Sequence, residues 1–94
     1  MNTEMDVVYV VNRVHISASE YNQNGYTQTY LYKDINRAKR NLKALRAADI
    51  SELERLDNDY EIYTDTDEKF HVAWDSDLEM IFITLNKQII DKEV

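Results

Sequence analysis

The stretch YLYKDINRAKRNLKAL, residues 30–45, passes from a strand pattern into a helix pattern. It begins inside YTQTYLY, residues 26–32, a predicted strand in which Tyr26, Tyr30 and Tyr32 share one face. Asp34 follows, and aspartate commonly caps a helix N-terminus. Apolar residues then recur at the three- and four-residue intervals of one helix face: Ile35, Ala38, Leu42 and Leu45. The stretch therefore predicts a strand followed by an amphipathic helix.

The end of this helix is predicted near Asp49. Ser51 and Glu54 are spaced as a capping box, which is typical of a new helix N-terminus. We therefore expect a second, short helix that buries three apolar residues: Ile50, Leu53 and Leu56.

A strand is also predicted before residue 26. The segment DVVYVVNRVHIS, residues 6–17, is rich in β-branched residues, and its even positions form one apolar face: Val8, Val10, Val14 and Ile16. The odd positions are apolar as far as Val11 and turn polar from Arg13 onward. The strand is therefore expected to be buried on both faces early and on the even face alone later, with His15 facing solvent. The dipeptide Asn24-Gly25 is typical of a hairpin turn that joins this strand to the next one.

Three strand patterns follow the helix: YEIYT (60–64), KFHVAW (69–74) and LEMIFITL (78–85). The first is expected to bury Tyr60 and Ile62. The third is apolar on both faces, which is typical of a central strand or of an edge strand paired with a second subunit. NKQIIDKEV, residues 86–94, is interpreted as a helical or frayed tail. Four residues are expected in the core: Leu42, Leu45, Phe70 and Trp74.

The order ββα(α)βββ predicts a single α+β domain over residues 1–94. We expect a two-layer sandwich, in which one main helix packs on an antiparallel sheet of about five strands.

Composition excludes several classes of site. The 94 residues include no cysteine, which rules out disulfides and thiolate zinc sites, and a single glycine, which rules out a glycine-rich phosphate loop. The only histidines are His15 and His71, and no catalytic motif accompanies them. The polar, acidic N-terminus is unlike a signal peptide, and no apolar run is long enough to span a membrane. We therefore expect a cytoplasmic protein that is not an enzyme, has no cofactor and does not bind membranes.

Charge is divided between the two halves of the chain. Residues 1–48 hold seven Lys/Arg against four Asp/Glu, whereas residues 49–94 hold four against fourteen, and the net charge is −7. The basic excess is local: Lys33, Arg37, Lys39, Arg40, Lys43 and Arg46. The acidic residues are densest between Asp49 and Glu79.

Two acidic turns flank KFHVAW, within TDTDEKFHVAWDSDLE (64–79). Successive turns of a meander lie at opposite ends of the middle strand, so the two Asp-x-Asp pairs should not converge on one metal ion. We predict instead that their carboxylates contact a basic protein partner. The candidate contact residues are Asp65, Asp67, Glu68, Asp75, Asp77 and Glu79.

This pattern favours an inhibitor whose acidic surface occupies a nucleic-acid-binding site on a basic protein. An alternative is a self-associating accessory module, and a homodimer is expected on either interpretation. Direct binding of nucleic acid through Arg37, Arg40, Lys43 and the tyrosine strand is a further alternative. The net charge of −7 works against it, because a polyanion repels an acidic protein.

The chain also resembles small phage- or mobile-element-encoded proteins, including anti-CRISPR proteins. The resemblance covers VVYVVNRV (7–14), the passage YLYKDINRAKRNLKAL, and the acidic, cysteine-free second half. It implies an inhibitor of a host nucleic-acid-handling protein, such as a CRISPR or other defence protein.

Overall fold

The computed structural model describes residues 5–18 and 26–91. Its elements are β1 (Met5–Ser17), β2 (Tyr26–Tyr32), α1 (Ile35–Arg55), β3 (Tyr60–Asp65), β4 (Lys69–Trp74) and β5 (Glu79–Asp91). The strands form one antiparallel sheet in the order β2-β1-β5-β4-β3, and α1 packs on one face of it. This confirms the predicted α+β fold with five strands and one main helix. The predicted turn at Asn24-Gly25 lies outside the described residues.

The helix α1 is continuous, so the predictions of an end near Asp49 and of a second short helix are wrong. Asp34 caps its N-terminus by accepting a hydrogen bond from the backbone N–H of Asn36 at 2.9 Å. Asp49 lies on the sheet-facing side of α1, where Arg13 of β1 pairs with its carboxylate. Because Arg13 neutralises the carboxylate of Asp49, α1 continues past Asp49 and buries Leu53 one turn further on.

The face of β1 that meets α1 is the odd one along the whole strand, so the prediction that only the even face is buried from Arg13 onward is wrong. Val11 is fully buried there, and Arg13 is 9% exposed. Val11 pairs with Leu85, and Arg13 with Ile83, so the odd residues of β1 and β5 form one continuous surface beneath the helix. No described element covers the opposite face of the sheet, where Ile16 is exposed.

The core lies between α1 and the three central strands. Leu42 and Phe70 are buried as predicted, whereas Leu45 and Trp74 are partly buried and pack against the core cluster. Ile62, expected to be buried, is exposed on the edge strand β3. The full set of buried cluster residues is Val11, Ala38, Leu42, Leu53, Phe70, Val72, Ile81, Ile83 and Leu85.

Strand β5 is both central and unusually long. Residues 79–84 pair with β1 on one side and β4 on the other, which makes LEMIFITL mainly a central strand. The strand continues to Asp91, so the predicted helical or frayed tail is wrong for residues 86–91. The pairing of β1 with β5 makes the molecule elongated, with extents of 57 × 28 × 17 Å. Its radius of gyration is 16.1 Å, against about 12 Å for a compact domain of this length.

Candidate protein-binding surface

Two acidic loops meet at one end of the sheet. Tyr60, the first residue of β3, pairs with Trp74, the last residue of β4. The loop before β3 therefore lies beside the turn after β4. We call the carboxylates gathered there the acidic end: Asp57, Asp59, Glu61, Asp75, Asp77 and Glu79.

The first loop begins where α1 ends. The backbone N–H of Asp57 donates to the carbonyl of Glu54 at 3.1 Å, and that of Asn58 donates to Leu53 at 3.0 Å. This is a Schellman motif, with Asp57 at the left-handed position (φ 57°) that glycine usually fills. Aspartate tolerates this conformation better than most residues, because its short polar side chain can bond locally.

The turn between β4 and β5 also contains residues in the left-handed backbone conformation. Asp75, Ser76 and Asp77 all have positive φ values, between 55° and 65°. The backbone N–H of Leu78 donates to the carbonyl of Asp75 at 3.0 Å and closes the turn. The backbone thus fixes where Asp75 and Asp77 lie, while both side chains stay exposed.

Two adjoining hollows give the acidic end its shape. One has a volume of about 440 Å³ and the other about 550 Å³, and both are lined by Asp59, Trp74, Asp75 and Ser76. Glu61 and Asp77 line the first hollow only, and Asp57 and Glu79 line the second. No lysine or arginine is among the described residues that line either hollow.

The phenol of Tyr63 is hydrogen-bonded to a carboxylate of the acidic end. Its hydroxyl donates to Oδ1 of Asp77 at 2.9 Å. The hydrogen bond to Asp77 raises the pKa of Tyr63 to about 12, and desolvation and Glu61 add to the shift. At neutral pH, Tyr63 is therefore a hydrogen-bond donor held among carboxylates.

One oxygen of Glu79 is not satisfied within the described residues. Oε2 is enclosed and has no hydrogen-bond partner there. A buried acceptor without a donor costs free energy.

The other predicted carboxylates lie at the far end of β4, about 20 Å away along the strand. Asp65 there is held by Arg46, whose Nε and Nη2 donate to its two oxygens at 2.8 and 2.6 Å. This hydrogen bonding raises the pKa of Arg46. Asp67 and Glu68 are exposed in the same turn. The structure thus separates the six predicted residues into two groups of three.

Asp57, Asp59 and Glu61 were not predicted, because they lie outside the stretch 64–79 that holds the two predicted acidic turns. A signal was available in the predicted β3–β4 hairpin. Pairing of those strands places residues that precede β3 next to residues that follow β4.

The two histidines lie on opposite faces of the sheet. His15 is on the helix side with its ring 5.5 Å from that of Trp74, so the expectation that it faces solvent is wrong. His71 stacks on Phe82 at 4.0 Å on the other face. In the part of the chain that the structure describes, no group of three or more His, Asp or Glu residues is arranged to hold a metal ion.

Two tyrosines of β2, Tyr30 and Tyr32, lie beneath the helix rather than on an open surface. Tyr30 and Tyr32 are partly buried against the core cluster. They are therefore poorly placed to stack on the bases of a nucleic acid. The side chain of Tyr26 is not among those described.

Comparisons with protein-family models, with characterised proteins and with solved structures found no match to this chain. Within residues 5–18 and 26–91, no helix is long and apolar enough to cross a membrane.

Proposed function

We propose that the protein is a non-enzymatic inhibitor that binds a basic protein surface through its acidic end. The observation that carries this proposal is the gathering of six carboxylates around two hollows that no described lysine or arginine lines. The target surface that fits best is a site where the partner protein binds nucleic acid, because such a site presents Lys and Arg side chains to phosphate groups.

The placement of charge along α1 is not explained by helix stability. Basic residues are concentrated in its N-terminal half, and Asp57 and Asp59 follow its C-terminus. The Asp34 cap and Arg55 in the last turn agree with the helix dipole, but the other charges oppose it, because the dipole favours acids at the N-terminus and bases at the C-terminus. Charge segregation that opposes the dipole supports a role in binding.

The acidic end offers two kinds of contact to an arginine of the partner. Asp59 and Asp75 can accept hydrogen bonds from a guanidinium group, which bonds carboxylates in a bidentate manner. Trp74, half-buried between the hollows, provides an aromatic face on which the same group can stack. Because the turns fix the backbone, these groups lose little entropy on binding.

The partner class follows from the charge and from the resemblance to small phage-encoded inhibitors. Host proteins that handle nucleic acid, including CRISPR and other defence proteins, are the first partners to test. The negative field steers the protein to such a basic site, and salt weakens that steering over a Debye length of about 8 Å at physiological ionic strength.

Two variants with equal charge change test the proposal. Asp75→Asn with Asp77→Asn removes two charges from the acidic end, and Asp67→Asn with Glu68→Gln removes two from the opposite turn. Each variant is used to capture proteins from the host at low and at high salt. We expect the first variant to lose the partner that the native protein captures, and the second to retain it. Equal capture by both variants would contradict the proposal.

A further inference from the structure

The far half of β5 has an unpaired edge. On the β4 side, the strand ladder ends where Lys69 pairs with Thr84, and the backbone N–H of Leu85 donates to Glu68 at 2.8 Å. Within the described ranges, no strand pairs with that side of residues 86–91, which we call the β5 edge. Both isoleucines of this segment are largely exposed: Ile89 (59%) and Ile90 (51%).

The direction of the free backbone groups follows from the Leu85 hydrogen bond. Alternate residues of a strand point their N–H and C=O groups to the same side. The backbone groups of Leu85 point toward β4. Those of Lys87, Ile89 and Asp91 therefore point outward from the β5 edge, while the backbone groups of residues 86, 88 and 90 point toward β1. An open edge of this kind is a template for another strand.

We propose that the β5 edge pairs with the β5 edge of a second copy of this chain, antiparallel and about a two-fold axis at Ile89. In this register, Ile89 of each copy lies opposite Ile89 of the other, and Lys87 lies opposite Asp91. Each of the three outward residues then exchanges two backbone hydrogen bonds with the second copy, about six in all.

Charge complementarity favours this register and favours a second copy of the chain as the pairing partner. A lysine on an edge strand ordinarily discourages pairing, but in this register each Lys87 occupies the position opposite Asp91 of the second copy. A shift by one position, with Gln88 on the axis, would place Asp91 opposite Leu85. The N–H group of Leu85 is already bonded to Glu68, so that register makes fewer hydrogen bonds.

The pairing leaves the acidic end unobstructed. Glu79 and Asp91 are at opposite ends of β5, about 40 Å apart along the strand. The dimer therefore presents two acidic ends at its opposite poles. The inference is independent of the proposed function, since it concerns the other end of the molecule.

The test is the molar mass in solution over a range of micromolar concentrations, measured by sedimentation equilibrium. We expect a reversible dimer of the 11.2 kDa chain. Lys87→Asp alone places two acids opposite each other, and Asp91→Lys alone places two lysines opposite each other. Each change should weaken the dimer about tenfold.

An equimolar mixture of the two single variants tests whether residue 87 of one copy lies opposite residue 91 of the other. In the mixed dimer every cross-strand pair again has opposite charges, so the affinity should return to near that of the native chain. Ile89→Pro removes an outward N–H without removing a bond to β1, and it should abolish the dimer. Leu31→Lys, on an exposed position of β2, serves as the control and should leave the dimer intact.

A native chain that stays monomeric throughout would overturn the proposal. So would a dimer that Ile89→Pro leaves unchanged, or a mixture that associates no better than the single variants. Circular dichroism checks that each variant is folded.

Discussion

Arg13 and Asp49 form an ion pair between the middle of β1 and the inner face of α1. Nε and Nη2 of Arg13 donate to the two oxygens of Asp49 at 2.9 and 2.6 Å, and each side chain is only 11% exposed. Nη1 of Arg13 also donates to Gln28 of β2 at 3.3 Å. The pair fixes how the helix lies across the sheet at a point where both elements would otherwise present apolar side chains.

Removing one partner of this pair should be costly. Asp49→Ala leaves the guanidinium of Arg13 enclosed without its carboxylate, and we expect a loss of about 3–5 kcal/mol in the free energy of unfolding. Urea denaturation measures it. The double variant Arg13→Met with Asp49→Leu removes both charges and should be more stable than Asp49→Ala alone. A double variant less stable than the single one would show that the pair does not act as a unit.

Truncation of the core should destabilise according to burial. Leu42→Ala, at a site that is 1% exposed, should cost about 2–5 kcal/mol, because the cavity cannot be filled. Leu31→Ala, at a site that is 65% exposed, is the control and should change stability little. Thermal and urea unfolding of both variants provide the comparison, and equal stabilities would contradict the placement of α1.

Asp57 should be replaceable by glycine without loss of stability. Its left-handed conformation strains a residue that has a Cβ atom, and glycine removes that strain. We expect Asp57→Gly to melt at or above the temperature of the native chain, and the β-branched Asp57→Val to melt below it. The reverse order would argue against the Schellman ending of α1.

Tyr63 should titrate in strongly alkaline solution. Hydrogen bonding to Asp77 raises its pKa from 10.0 to about 12. The folded-state pKa is above the unfolded one, so the stabilising contribution is complete below pH 10 and is lost as the pH rises through 12. Ultraviolet titration of the native chain and of Tyr63→Phe isolates this phenol. Asp77→Asn should lower the pKa of Tyr63, and an unchanged value would contradict the hydrogen bond.

Local pattern was sufficient for the presence of five strands, the cap at Asp34 and the first half of α1. It failed at Asp49, because the partner that permits a carboxylate on the inner face of the helix is Arg13, 36 residues away. The apolar spacing did continue to Leu53, and that signal was outweighed by the capping box. A contact distant in sequence thus allows the helix to continue past Asp49.

The predictions for the acidic end and for residues 86–91 were incomplete or wrong for related reasons. The position of Asp57 and Asp59 depends on the pairing of β3 with β4, which brings together turns that are separated in the chain. Residues 86–91 form a strand because β1 provides a partner for each of them, not because their own pattern is distinctive. In both cases strand pairing supplied information that no single segment contains.

The proposed function requires the acidic end to occupy a nucleic-acid-binding site of the partner. Competition tests this requirement: a labelled nucleic acid is bound to the captured partner and displaced by increasing amounts of this protein. We predict that the native chain and Asp67→Asn/Glu68→Gln displace the nucleic acid completely. Asp75→Asn/Asp77→Asn should need a much higher protein concentration to reach the same displacement. Simultaneous binding of the nucleic acid and the protein, or equal displacement by the two double variants, would contradict the claim.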